Sequence, residues 1–95
     1  MKQSIWKFAL PIIDGREPIT LTVPAGTRFI SGGSQNGNII IWGLCPQHDL
    51  RENREIIIFG TGWDISKEYA DRLTFIATCQ APNNLVWHVF EVSAF

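Results

Sequence analysis

The chain contains no apolar run approaching the length that a bilayer-crossing helix requires, so no membrane span is expected. Its first residues, Met1-Lys2-Gln3-Ser4-Ile5-Trp6-Lys7, lack the continuous apolar core of a secretory signal, and export is not expected either. Cysteine is scarce. Cys45 and Cys79 stand alone beside no signal sequence, and in a reducing cytoplasm both are expected to be free, buried, small hydrophobes. Cys45-Pro46-Gln47-His48 has a C-x2-H spacing, but Cys79 and His88, which would have to complete a tetrahedral set, do not form a second compact pair. No metal or cofactor is expected. Charge is sparse as well: 18% of residues are Asp, Glu, Lys or Arg, against about 25% in ordinary soluble domains. The net charge is −1, and the lysines and arginines are scattered. Duplex nucleic acid demands a basic stripe to replace condensed counterions, which excludes it as a partner.

What the chain has in surplus is aromatic bulk. Four Trp and six Phe in 95 residues exceed what one small core readily hides, so some are expected to face a ligand or another subunit. Glycine, proline and asparagine recur at short intervals: Pro24-Ala25-Gly26, Gly32-Gly33, Asn36-Gly37, Gly60-Thr61-Gly62 and Pro82-Asn83-Asn84. Between them lie short β-branched and aromatic runs, the rhythm of strands joined by turns. Residues 4–13 alternate until Pro11, which ends the strand or places it at an edge. Ile19, Leu21 and Val23 alternate with Thr20 and Thr22 as a half-wet strand. Arg28-Phe29-Ile30 begins the next, and Asn36-Gly37 calls for a type I′ turn because both central residues need positive φ. Residues 43–54 turn polar and are expected as a solvated loop. Residues 39–42 and 56–59 are apolar on two faces, as in strands covered on both sides or held at a subunit interface. Residues 64–71 form the one plausible helix, capped by Asp64 or Ser66. Residues 73–80 and 85–95 are the last strands. One domain over 1–95 follows: a small antiparallel β sandwich or partly open barrel of six to seven strands with one short helix.

No catalytic constellation is spelled out by local spacing. His88 shares a strand face with Val86, Phe90 and Val92, Trp87 lies on the opposite face with Leu85, Val89 and Glu91, and local spacing places no carboxylate or nucleophile beside His88. A histidine so placed is a core or ligand contact before it is a general base. The segment Gly60, Thr61, Gly62 and Trp63 is the best local arrangement for a phosphate beside a ring. Its glycines present backbone N–H groups to an anion and its indole offers a stacking face, although a tight strand-to-helix turn needs the same residues. Gln35 and Asn36, in a glycine-rich stretch, can read polar edges or simply close a hairpin. Arg28 and Arg54 are the candidate phosphate-neutralising cations.

The series Ile5-Trp6-Lys7-Phe8, Val23-Pro24-Ala25-Gly26, Gln35-Asn36-Gly37 with Ile41-Trp42, Phe59-Gly60-Thr61-Gly62 and Leu85-Val86-Trp87-His88-Val89-Phe90-Glu91 resembles a family of uncharacterised small proteins of tailed bacteriophages and prophages. The resemblance implies action in a host bacterial cytoplasm and carries no catalytic residues. Small phage proteins of other folds sequester nucleotide messengers made by bacterial defence systems, an analogy that sets the expected function. That function is capture of a nucleotide-derived molecule, of cyclic-nucleotide or ADP-ribose type, by a homo-oligomeric non-enzymatic protein with an anti-defence role. The ligand-binding set is Gly60, Thr61, Gly62, Trp63, Arg54, Arg28, Gln35, Asn36, Trp87 and His88. The alternatives are an inhibitor that blocks a host protein through an exposed edge or aromatic patch, and a small nucleotide hydrolase using His88.

Overall fold

A computed structural model describes residues 2–11, 17–81 and 84–93. Within them seven strands and one short helix form two antiparallel sheets that do not close into a barrel. The strands are β1 (Gln3–Leu10), β2 (Ile19–Pro24), β3 (Arg28–Gln35), β4 (Asn38–Pro46), β5 (Arg51–Gly60), β6 (Leu73–Gln80) and β7 (Val86–Val92), with α1 (Lys67–Ala70) between β5 and β6. One sheet has the order β1-β4-β3 and the other β2-β5-β7-β6. The Cα atoms span 41 × 33 × 17 Å, the thin dimension being that of two packed sheets.

The inner faces meet in one apolar cluster. Leu10, Ile39 and Ile41 from the first sheet pack on Ile56, Ala77, Cys79 and Val89 from the second. Both cysteines are free and buried, and burial pushes the Cys79 thiol pKa up. Gly32, facing the other sheet, and Gly43 stand where a side chain would not fit. A Cβ on Gly32 would lie 2.8 Å from that of Ala77, and one on Gly43 2.8 Å from the Thr27 methyl. Beside Gly32, Ser34 Oγ donates to the Gln80 carbonyl at 2.6 Å, stitching the β3 edge to β6.

The two-faced run at the end of β5 is covered on both sides. Ile56 joins the inter-sheet core, while Ile57 and Phe59 form a second cluster with Val92 on the outer face, against Tyr69, Leu73 and Phe90. Tyr69 comes from α1, whose cap is Ser66: its hydroxyl accepts from the Glu68 N–H. On the other sheet, the Trp42 ring lies over Gly33, 3.5 Å from where a Cβ would stand. Among the described residues no helix is long and apolar enough to cross a membrane.

The polar stretch 43–54 is a correction. It is not one loop: β4 continues to Pro46 and β5 starts at Arg51. Polarity misleads here because the charged residues are strand residues with partners, Arg51 to Glu55 standing opposite Pro24 to Thr20 of β2. Glycine-rich residues 32–35 likewise belong to β3, and only Asn36 (φ 50°) and Gly37 (φ 80°) make the turn, as a type I′ geometry demands. Ile12, Ile13, Pro82, Asn83 and the last two residues, which fell within the expected runs and turn, lie outside the described residues.

Candidate ligand site at the end of strands β5 and β7

Strand β5 ends in a tight turn. The Trp63 N–H donates to the Gly60 carbonyl at 3.1 Å, and Gly62 takes φ +88°, a conformation costly for any residue with a Cβ. The turn folds the Trp63 indole back on its own start: a Cβ on Gly60 would stand 2.8 Å from Cε2 and Nε1 of that ring. Gly60 is therefore required for Trp63 to seat. The β5–β7 register sets Gly60 opposite Trp87, and the two indoles meet edge to face with centroids 5.4 Å apart and planes at 85°.

This pair forms one wall of a hollow of about 340 Å³ lined by Gly60, Thr61, Trp63, Asn84, Leu85, Val86 and Trp87. A second hollow, of about 250 Å³, shares Asn84, Leu85 and Val86 and adds Gln80 and Ala81. The two adjoin across the start of β7, one walled by indoles and the other bordered by side-chain amides. None of these lining residues carries a charge. The Trp87 Nε1 atom is buried without a hydrogen-bond partner among the described residues. Leaving such a donor unmet costs on the order of 1–3 kcal/mol.

His88, the next residue, lies on the opposite face of β7, in register with Phe59 and Thr78. Its Nε2 is 2.7 Å from Thr61 Oγ1 and its Nδ1 is 3.2 Å from Thr78 Oγ1. The imidazole is held between two hydroxyls, and through Thr61 it braces the rim of the hollow from behind. No described residue places a carboxylate on it.

Of the residues expected to bind a ligand, Gly60, Thr61, Trp63 and Trp87 thus line one hollow; Gly62 shapes its turn and His88 supports it from the outer face. The remaining four sit elsewhere. Arg54 is six residues back along β5, about 20 Å at strand rise. Its Nε and Nη2 donate to the two Glu91 oxygens, the second at 2.8 Å, and its Nη1 donates to Glu52 at 3.0 Å and to the Thr27 carbonyl at 2.7 Å. The guanidinium also lies over the Phe29 ring, 5.1 Å from its centroid. The Glu91 carboxylate, above all, raises the Arg54 pKa further. Arg28 is exposed on β3 of the other sheet, while Gln35 accepts from Lys7 Nζ at 3.2 Å and Asn36 is the hairpin corner. Residues that sequence reasoning missed are Asn84, Leu85, Val86 and Gln80. The available signal was Pro82-Asn83-Asn84 directly before the Trp-bearing strand: Asn84 adopts φ 62°, which brings the chain around beside Trp63.

No curated protein and no solved structure matches the chain. A family model described as Domain of unknown function (DUF7352) matches residues 1–95, and the chain belongs to that family.

Proposed function

We propose that this chain is a binding protein that takes the flat ring of a nucleotide-derived molecule, of cyclic-nucleotide or ADP-ribose type, into the hollow beside Trp63 and Trp87. In this reading it works as a phage accessory protein that withdraws such a messenger from the host cytoplasm without chemical turnover. The observation that carries the reading is convergence: two segments more than twenty residues apart bring two indoles and a backbone turn to one hollow, and one of those indoles keeps a buried N–H that no described residue meets.

The hollow of about 340 Å³ is at the small end of ligand sites, which start near 300 Å³, so it accommodates a ring rather than a whole dinucleotide. The adjoining amide-bordered hollow suits a sugar, through Gln80 and Asn84. With no cation lining either space, phosphates lie outside, toward solvent, and contribute little to affinity. That distinguishes this reading from one built on Arg28 or Arg54 as phosphate clamps.

Calorimetric titration with nucleosides, cyclic nucleotides and ADP-ribose tests it. Binding is expected to follow the ring and to tolerate removal of phosphate. Trp63→Ala is expected to cost about 1–3 kcal/mol of affinity, the worth of one base–aromatic stack. The absence of binding tighter than roughly millimolar across the panel would refute the reading. A second reading, blockade of a host protein, is favoured by the apolar side chains left exposed on the strands, Ile5 at 63% and Phe75 at 59%. Specific recovery of one host protein on the immobilised chain, lost on Ile5→Asp or Phe75→Asp, is its expected result.

A further inference from the structure

We infer that the free edge of β1 is a homodimerisation surface on which a second copy of this chain adds its own β1, antiparallel and in a register centred on Trp6. The inference is independent of what the hollow binds.

The four sheet edges are not alike. β3 and β6 carry bulges, between Phe29 and Ser31 and between Phe75 and Ala77, and they cover each other through Gly32–Ala77 proximity and the Ser34–Gln80 bond. β2 is six residues long and ends at Pro24. The Ala25 N–H donates to the Leu50 carbonyl, which fixes the alternation of its ladder. Ile19, Leu21 and Val23 point their amides at β5, so outward stand Thr20, Thr22 and Pro24, the last with no N–H to offer. Short length, bulges and proline are the devices by which sheet edges avoid pairing.

β1 has none of these three, and the one charge on it, Lys7, is held by Gln35. It runs eight residues without proline or bulge, in register with β4 from Gln3–Pro46 to Leu10–Ile39. The Gln47 N–H donates to the Lys2 carbonyl, so Lys2, Ser4, Trp6, Phe8 and Leu10 turn their amides toward β4. Gln3, Ile5, Lys7 and Ala9 therefore present four N–H and four C=O groups outward, and no described strand pairs with them.

A second β1 is the partner whose spacing fits. Side chains directly opposite each other in an antiparallel pair share a face, so a two-fold axis perpendicular to the sheet must pass through a residue. Centred on Lys7, it would set two ammonium groups opposite each other. Centred on Ile5, it would set Ala9 opposite Met1, outside β1. Centred on Trp6, it pairs Gln3 with Ala9 and Ile5 with Lys7 of the second copy, and all four outward residues of each strand bond. On one face Ile5 then stands opposite Lys7 of the second copy, whose ammonium is drawn away from the seam, across β4, to Gln35. On the other face the two Trp6 rings, each 40% exposed in the single chain, meet as a cross-strand aromatic pair. Two three-stranded sheets become one continuous sheet of six.

The test is sedimentation equilibrium of the full chain together with three variants. The wild type is expected to sediment as a dimer at micromolar concentration. Ile5→Pro removes an outward N–H that β4 does not use, and is expected to yield a monomer with an unchanged circular dichroism spectrum. Trp6→Cys places a thiol on the axis, where Cα atoms of a non-hydrogen-bonded pair lie about 4.5 Å apart, within disulfide range. It is expected to cross-link into a dimer on mild oxidation, and Ile5→Cys is not. A wild type that remains monomeric at roughly millimolar concentration, an Ile5→Pro chain that remains dimeric, or a Trp6→Cys chain that does not cross-link each overturns the inference.

Discussion

The two ends of β5 use polar groups in opposite ways. At its start, Arg54 meets two carboxylates, a carbonyl and a phenyl ring, and Glu52 also accepts from the Gly26 N–H at 2.9 Å. At its end, Gly60 and Trp63 border a hollow without a charged side chain, beside an indole whose N–H meets no described residue. A charge with its partners in place is structural, and has little left to offer a ligand. An aromatic wall with an unmet donor has free energy still to gain from one. The difference shows why an arginine near a glycine-rich turn in sequence is a poor guide to a phosphate site: six residues of strand separate the two ends.

The comparison breaks first at Arg54. Arg54→Ala strips both carboxylates of their cation, Glu91 being about as buried as the arginine, at 21% against 20% side-chain exposure. Breaking a fully buried pair costs about 3–5 kcal/mol. With a fifth of each side chain in water, the expected loss is about 2 kcal/mol, read from the urea midpoint at unchanged slope. Affinity at the hollow should stay within about twofold of wild type. A large loss of ring binding would show that the two ends are coupled and that the comparison is false.

Gly60→Ala comes next, and acts at the other end. The added methyl would stand 2.8 Å from the Trp63 ring, which must move. Stability is expected to fall by about 1–2 kcal/mol, as for other overpacked sites. Ring binding should drop at least tenfold, with the tryptophan emission shifted as the edge-to-face pair separates. Normal binding by this variant would place the ligand somewhere other than beside Trp63.

Much of the fold was legible because backbone demands leave local marks. Asn36-Gly37 fits few turns but type I′, and alternation over residues 85–91 correctly separates Trp87 from His88 across the faces of β7. Legibility failed where a partner distant in the chain decides the outcome. Arg51, Glu52, Asn53 and Arg54 look like a loop until β2 is laid beside them, and then Thr22 Oγ1 donates to Asn53 at 2.8 Å and Glu52 receives the Gly26 amide. The site followed the same rule. Gly60, Thr61 and Trp63 were legible as a turn beside a ring, and Trp87 as an aromatic on a strand. That Trp87, Asn84 and Leu85 complete the same hollow depends on the β5–β7 register, which no single segment encodes.

The smallest effect concerns pH, and it too separates the two ends. The Gly26 N–H, then Arg54, holds the Glu52 carboxyl below its ordinary value of 4.5. A depressed folded-state pKa means that its stabilisation is fully present above the unfolded value and disappears as pH falls through the folded one. Wild-type thermal stability should therefore decline on acidification from about pH 5 downward more steeply than that of Glu52→Gln, which has no proton to take up. The hollow behaves otherwise: Gly60, Thr61, Trp63, Asn84, Leu85, Val86 and Trp87 have no titrating group between them. For a ring that does not itself ionise in this window, and with His88→Gln removing the imidazole that Thr61 holds, affinity should be flat with pH until the fold begins to open. A titration of ring binding that followed the stability curve of the wild type, and flattened in Glu52→Gln, would mean that the ion network reaches the indoles after all.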